Sequence, residues 1–163
     1  MRAADKVLTR EALVQAVAQR RATHSPVVFT NGVFDLLHIG HVRYLEFARG
    51  LGKLLVVGVN SDESVRSLGK EKGRPIVSAT ERAEVVAALA SVDFVCIFDE
   101  PRPDATIRAL RPDIHVKSAQ YELEELPEAG AVAEVGGKIV LAPHLPASST
   151  TDIVRRIREG AST

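Results

Sequence analysis

Two histidines lie three residues apart in the segment VFTNGVFDLLHIGHVRYLEFA (28–48), where a strand-forming run gives way to a helical pattern. His38 and His41 have the spacing that places two side chains on one side of the first turn of a helix. The free N–H groups and the positive dipole end of such a helix bind anions. Gly32 and Gly40 lack a Cβ atom, so the backbone there can approach a ligand closely. These residues predict a phosphate-binding pocket that suits a nucleoside triphosphate.

The residues alone leave two other interpretations of this histidine pair open. Two imidazoles can ligate a metal ion, but no convincing third and fourth ligands are visible in the sequence, so no protein-bound metal site is predicted. Histidines can also be satisfied surface or core groups, which is how we interpret His24 and His115. His38 and His41 differ from these because glycines and a strand–helix junction coincide with them.

A second group of hydroxyl side chains begins the last predicted helix, in the segment PASSTTDIVRRI (146–157). Together with helix N–H groups, Ser149, Thr150 and Thr151 can hold phosphate. Ordinary N-capping by one of these residues is the alternative.

Basic residues can neutralise phosphate charge from two places. The segment LGKEKGRPIV (68–77) carries Lys70, Lys72 and Arg74, and we expect it to be a mobile loop because its glycines and charges bury little. A solvated run of charges is the alternative interpretation. Arg82 lies in the first turn of the next predicted helix, where the helix dipole disfavours a cation. That placement indicates an anionic partner such as the triphosphate.

Composition narrows the function classes. The 163 residues carry 21 basic and 21 acidic side chains, so no strongly basic surface is implied and nucleic acid is not expected as a partner. No apolar run approaches the length of a membrane span, and the charged N-terminal segment lacks a signal-peptide core. The single cysteine, Cys96, lies in an apolar run and is interpreted as a core residue. We expect a cytoplasmic protein without a membrane partner.

Strand and helix patterns alternate along the chain. Apolar runs predict strands at 27–30, 54–60, 94–98, 114–117 and 138–141. Helical patterns cover 9–21, 41–51, 78–90, 103–110, 127–135 and 151–159. The predicted fold is α/β: a Rossmann-like, doubly wound, parallel five-stranded sheet flanked by helices, which binds ligands beyond the carboxyl ends of its strands. We expect a single domain over 1–163, with an N-terminal helical extension (1–24) and a catalytic core (26–159).

The usual phosphate-binding signatures are missing, since the sequence has neither a P-loop nor a G-x-G-x-x-G after the first strand. Instead, HIGH (38–41) resembles the H-x-G-H signature of the nucleotidyltransferase superfamily, and SSTT (148–151) resembles its C-terminal [ST]-x-x-[ST] signature. The closer likeness covers about 27–157. The segments that carry it are TNGVFDLLHIGHVRYLEFARGLG, LLVVGVNSDESVRSL, GRPIV, ERAEVVAAL and VDFV. These segments resemble the bacterial D-glycero-β-D-manno-heptose 1-phosphate adenylyltransferases.

The resemblance implies transfer of AMP from ATP to a sugar 1-phosphate, giving an ADP-sugar and pyrophosphate. It implies a Mg²⁺-dependent homodimer. Catalytic roles are assigned to His38, His41, Lys70 and Arg82. Nucleotide contacts are assigned to Thr30, Asn31, Gly32, Val33, Phe34, His38, Gly40, His41, Ser149, Thr150 and Thr151. Substrate contacts are assigned to Asp35, Asn60, Arg74, Lys117, Gln120 and Tyr121.

One segment departs from the family pattern. The heptose enzymes carry K-G-G-D-Y or a similar sequence after the fourth strand, whereas this chain has KSAQY (117–121). Gln120 therefore replaces a carboxylate with an amide that can donate as well as accept. This departure motivates one alternative, a nucleotide-binding module without catalysis. The glycerol-3-phosphate cytidylyltransferases are the next nearest family by resemblance, so a cytidylyltransferase that acts on glycerol 3-phosphate or another phosphorylated alcohol is the other alternative.

Overall fold

The computed structural model of the protein describes residues 1–69, 73–119, 126–143 and 149–160. Five parallel strands form one sheet in the order β3-β2-β1-β4-β5. The strands are β1 Val27–Gly32, β2 Leu54–Asn60, β3 Phe94–Phe98, β4 Ile114–Ser118 and β5 Lys138–Ala142. The predicted five-stranded parallel sheet is therefore confirmed, with β2 and β3 at their predicted bounds.

Helices connect these strands. They are α1 Arg10–Arg21, α2 Ile39–Gly50, α3 Asp62–Ser67, α4 Ala79–Ala87, α5 Asp104–Leu110, α6 Ala129–Glu134 and α7 Thr150–Arg158, and a short 3-10 helix spans Ala3–Lys6. None of the described helices has the length and apolar character needed to cross a membrane.

Both faces of the sheet are covered, which explains why its strands lack an alternating pattern. All seven residues of β2 are buried. On one face α2 and α4 pack through residues such as Leu45 and Val86. On the other face α1, α5 and α6 pack through residues such as Leu13, Ile107 and Val132. Helices on both faces make this a doubly wound fold.

The predicted core role of Cys96 is also confirmed. Its side chain is buried in the second of these two clusters. Burial raises the pKa of the Cys96 thiol to about 12, so the unreactive thiol form persists at neutral pH.

Local signals set several helix starts. Thr9 caps α1 by accepting the N–H of Ala12 at 3.2 Å. A capping box of Ser78 and Glu81 begins α4, and one of Ser149 and Asp152 begins α7.

Other helix starts differ from the prediction. α2 begins at Ile39 instead of His41, because His38 takes the N-cap position. Pro103 is the N-cap of α5 instead of a residue in its first turn, and α6 begins at Ala129, two residues after Pro127. The sequence reading missed α3, whose six residues are too few to show a helical period.

Candidate active site

A cavity of about 660 Å³ lies at the carboxyl ends of the strands. Its wall includes residues that follow β1 and β4, where the strand order reverses and where open α/β sheets bind ligands. The predicted site residues in its wall are Asn31, Gly32, Val33, Phe34, His38, Gly40, His41, Asn60 and Lys117. Residues that the sequence reading missed include Tyr44, Leu68, Ser118, Leu126 and Glu128.

His38 ends the loop after β1 and caps α2. Its Nδ1 accepts the N–H of Gly40 at 3.1 Å, and its carbonyl accepts the N–H of His41 at 2.9 Å. Two N–H groups that were predicted to face phosphate are therefore engaged within the first turn of α2. Because its Nδ1 accepts, neutral His38 carries its proton on Nε2, which is left as its donor to a ligand.

His41 packs its ring against two other rings. Its centroid lies 3.9 Å from that of His38 and 5.3 Å from that of Phe34. Burial, with a smaller effect from His38, lowers the pKa of His41 from 6.5 to about 4, and burial also lowers the pKa of His38. Both imidazoles are therefore neutral at pH 7 and act as N–H donors instead of cations. His41 Nδ1 is buried without a hydrogen-bond partner among the described residues.

The loop between β1 and α2 is held in an unusual conformation. Phe34 has a φ of +50°, in the left-handed region that a bulky side chain rarely adopts. A Cβ atom on Gly32 would lie 3.0 Å from the Phe34 ring. The glycine therefore leaves room for the Phe34 ring and not only for a ligand. Backbone strain of this kind occurs at functional sites, where the surrounding structure maintains it.

Thr30 does not contribute its side chain to the cavity, because the residue is fully buried. Its hydroxyl lies 2.7 Å from that of Tyr44 and donates to the carbonyl of Val116 at 3.0 Å. The Tyr44 hydroxyl donates to the same carbonyl at 2.9 Å. The Thr30 side chain thus ties β1, α2 and β4 together, and the predicted backbone contact of Thr30 with the nucleotide stays a prediction.

Asp35 and Arg74 were predicted to contact the substrate, but they bind each other at 2.8 Å with side chains that are 5% and 12% exposed. The carboxylate also accepts the N–H groups of Ile76 and Val77 at 2.8 and 3.0 Å. Burial would raise the pKa of Asp35, but these hydrogen bonds and Arg74 outweigh it and lower the pKa. Asp35 therefore holds the described end of the segment 68–77 through Arg74, Ile76 and Val77.

Arg82, a predicted catalytic residue, is not exposed to the cavity. Its side chain is completely buried, and its guanidinium donates to the carbonyls of Val33, Asn60 and Val77 and to the carboxylate of Asp62. No surface is left for a triphosphate to contact. These four acceptors compensate the buried charge of Arg82. The unfavourable position of this charge in the helix dipole therefore needs no anionic ligand to explain it.

Asn60, also a predicted substrate contact, keeps only part of its amide for a ligand. Its Nδ2 donates to the hydroxyl of Ser64 at 2.9 Å, and the residue is 3% exposed although it lines the cavity.

The residues at the start of α7 divide into two roles. Ser149 makes the capping box with Asp152, so ordinary N-capping occupies its hydroxyl. Thr150 donates to the carbonyl of Leu36 at 3.3 Å, which attaches α7 to the loop after β1. Thr150 and Thr151 line a second cavity of about 470 Å³ together with His41, Arg74 and other residues. Since His41 lines both cavities, they adjoin each other.

A second wall of the main cavity carries charges. Lys117 at the end of β4 contacts Glu128 at 2.8 Å and donates to Asn31 at 3.4 Å. His115 lies 3.2 Å from the same carboxylate oxygen of Glu128. Burial would raise the pKa of Glu128, but His115 and Lys117 lower it to about 2. No motif or regular spacing in the sequence indicates this cluster, because His115 and Lys117 lie in β4 whereas Glu128 lies at the start of α6.

Three predicted residues, Lys70, Gln120 and Tyr121, lie outside the described residues.

Comparisons with known proteins identify the family. Residues 29–156 match the family model described as cytidylyltransferase-like. The D-beta-D-heptose 1-phosphate adenylyltransferase of Bordetella bronchiseptica is 49% identical over 155 residues, which cover 95% of both chains. The bifunctional protein HldE of Trichlorobacter lovleyi is 46% identical over 94% of this chain, which corresponds to 31% of that longer protein.

A solved structure agrees with the fold. The lipopolysaccharide core biosynthesis protein of Thermoplasma volcanium GSS1 is 29% identical and superposes with a TM-score of 0.61, over 73% of this chain and 95% of that chain. The sequence match covers the strand–helix junction with both histidines and extends into α7. The chain therefore belongs to the cytidylyltransferase-like family.

Proposed function

We propose that this protein is an adenylyltransferase that transfers AMP from ATP to D-glycero-β-D-manno-heptose 1-phosphate, giving ADP-heptose and pyrophosphate. The observation that carries the proposal is the 49% identity, over 95% of both chains, to a relative with that named activity. The cavity supports it, because His38, Gly40 and His41 line its wall together.

The chemistry of the reaction matches the residues in this wall. A phosphate oxygen of the sugar phosphate attacks the α-phosphorus of ATP, and the bond from that phosphorus to the bridging oxygen of the leaving pyrophosphate breaks. The nucleophile is already an oxyanion, so it needs no general base. The remaining tasks are to align the two substrates and to stabilise the negative charge that develops in the transition state.

His38 and His41 are suited to stabilising this charge. Both are neutral at pH 7 because burial lowers the pKa of each imidazole. A neutral donor in a partly dehydrated cavity can strengthen its hydrogen bond as charge builds on the phosphate oxygens. Thr150, Thr151 and Arg74 in the adjoining cavity are assigned to the pyrophosphate portion of ATP. We also assign Lys70 to neutralising the charge of this pyrophosphate portion.

Magnesium enters this proposal as part of the MgATP substrate. The described residues contain no group of three or more His, Cys, Asp or Glu side chains that could hold a metal ion. The triphosphate is therefore expected to supply the ligands that bring Mg²⁺ to the site. We further propose that the enzyme is a homodimer and works in the cytoplasm.

A pyrophosphate-release screen tests the function. The purified chain is incubated with MgATP or MgCTP, and with the heptose 1-phosphate or glycerol 3-phosphate. Release with only the ATP and heptose 1-phosphate pair is the expected result. Release with only the CTP and glycerol 3-phosphate pair would replace the adenylyl proposal with a cytidylyl one. Tight ATP binding without release for any acceptor would indicate a non-catalytic module.

A further inference from the structure

Glu128 carries a carboxylate that the proposed chemistry leaves unused. The residue occupies the N-cap position of α6, yet its side chain makes no capping hydrogen bond. The carboxylate is instead 4% exposed and meets Lys117 and His115 through the same oxygen, at 2.8 and 3.2 Å. A carboxylate at an N-cap position commonly accepts an N–H group of its own helix. The contact of Glu128 with a buried cation instead needs another explanation.

His115 supports this carboxylate from the core. Its side chain is fully buried on β4 and its ring stacks on Phe29 with centroids 5.5 Å apart. Burial lowers the pKa of His115, although Glu128 opposes the shift, so the imidazole is neutral at pH 7. A carboxylate only accepts hydrogen bonds, so Nε2 of His115 is the donor. His115 thereby fixes the same carboxylate oxygen that Lys117 contacts.

Lys117 is held from two sides as a result. Its Nζ contacts Glu128 after β4 and Asn31 at the end of β1, and all three residues line the main cavity. The ammonium thus lies where β1 and β4 separate, with its side chain 14% exposed. A flexible lysine is thereby placed in the cavity that His38 and His41 also line.

Stability does not account for this arrangement. A buried ion pair loses about as much in desolvation as it gains in attraction, so it is weak support for the fold. Glu128 also cancels the charge of Lys117, so it cannot serve to increase the attraction for an anion. What it supplies is a fixed position, because a free lysine loses rotamer freedom when a ligand immobilises it.

We propose that Glu128 is a positioning residue that presents the Lys117 ammonium to a phosphate group of a substrate, and that His115 orients Glu128. This inference rests on the proposed function. The phosphate belongs either to ATP or to the sugar phosphate, and the separate KM values distinguish these two sources.

The test compares Glu128→Gln, Lys117→Met and the double variant with the wild-type chain, by steady-state kinetics with each substrate varied. Glu128→Gln is expected to raise the KM of one phosphate substrate about 3- to 10-fold, with kcat changed less. Lys117→Met is expected to raise the same KM about 10- to 100-fold. The double variant should match Lys117→Met alone, because Glu128 acts through Lys117.

Glu134→Gln is the matched control. Glu134 pairs with Arg108 at 2.6 Å, but that pair lies on the exposed side of α6, with side chains 56% and 50% exposed. The KM values of Glu134→Gln for both substrates should equal those of the wild-type chain. If Lys117→Met unfolds because it strands the Glu128 carboxylate, the uncharged double variant takes its place in the comparison with Glu128→Gln.

Three results would overturn the inference. One is an unchanged KM for both substrates in Glu128→Gln. Another is a lower KM, which would mean that Glu128 competes with the phosphate. The third is an effect that adds in the double variant. If the wild-type chain shows no turnover, the proposed function fails separately, and calorimetric affinities for ATP and for the sugar phosphate provide the same comparison among the variants.

Discussion

The two walls of the main cavity differ in the histidine that belongs to each: His41 lines the first wall, and His115 lies in the core behind the second, which Lys117 and Glu128 line. Among the described residues, the Nδ1 of each histidine is buried without a hydrogen-bond partner. His41 lies against the rings of His38 and Phe34, with no acidic side chain hydrogen-bonded to it among the described residues. His115 lies against the Glu128 carboxylate, which also holds Lys117. One wall is therefore built from neutral donors and the other from paired charges.

This difference indicates a division of labour. Fixed charges attract a phosphate that is already charged in the bound substrate, so they act mainly on binding. Neutral N–H donors gain most when charge develops during the reaction, so they act mainly on the rate. Variants of the two walls should therefore separate into effects on KM and effects on kcat.

His41→Ala should have the largest effect on the first wall. We expect kcat to fall by about 100-fold or more, because a donor to the developing charge is lost, while the KM values change much less. Steady-state kinetics measures this, with His24→Ala as the control because His24 is exposed. An unchanged kcat, or a loss confined to KM, would remove the distinction between the walls.

Asp35→Asn tests the support behind the first wall. The amide cannot neutralise Arg74, and it provides one acceptor oxygen where the carboxylate provides two. We expect a loss of about 2 kcal/mol in the free energy of unfolding, measured by urea denaturation. If stability is unchanged while the KM for ATP rises, Asp35 contacts the substrate after all.

Thr30→Val tests the connection between the walls. The substitution keeps the side-chain volume but removes the hydroxyl that joins Tyr44 to the carbonyl of Val116. We expect a loss of about 1 kcal/mol, which corresponds to roughly 2–4 °C in Tm for a chain of this size. Thermal unfolding measures it. Equal stability of Thr30→Val and the wild-type chain would show that Tyr44 alone makes this connection.

Acid should remove the stabilising contributions of His41 and Glu128 in different pH ranges, with no effect at neutral pH. The pKa of His41 is about 4 in the folded chain against an ordinary 6.5, so between these values the unfolded chain binds more protons and stability falls as pH falls. His38 and His115 shift in the same direction. Glu128, with a pKa of about 2 against 4.5, stabilises the fold above pH 4.5 and loses this contribution as pH falls towards 2.

Denaturant titrations at several pH values measure these ranges. His41→Gln should flatten the stability profile between pH 6.5 and 4, and Glu128→Gln should flatten it below pH 4.5. Parallel profiles for wild type and His41→Gln would mean that His41 keeps its ordinary pKa in the folded chain.

The sequence by itself determined the elements of the fold and the first wall of the cavity. Buried parallel strands such as β2 and β3 appear as uninterrupted apolar runs, because both faces of the sheet are covered. Likewise, His38, Gly40 and His41 stand in one short segment, so their spacing along the chain already places them on one helical turn.

Only the tertiary structure decided which charged residues face a ligand and which face each other. Arg82 and Asp62 are 20 residues apart in the chain, and Arg74 and Asp35 are 39 apart. From the sequence, Arg82, Arg74 and Asp35 were each assigned a role on their own, and Asp62 was assigned none. The reason is that a sequence pattern shows the charge of a side chain and not its partner. His115, Lys117 and Glu128 remained unconnected for the same reason, since the cluster exists only where the end of β4 meets the start of α6.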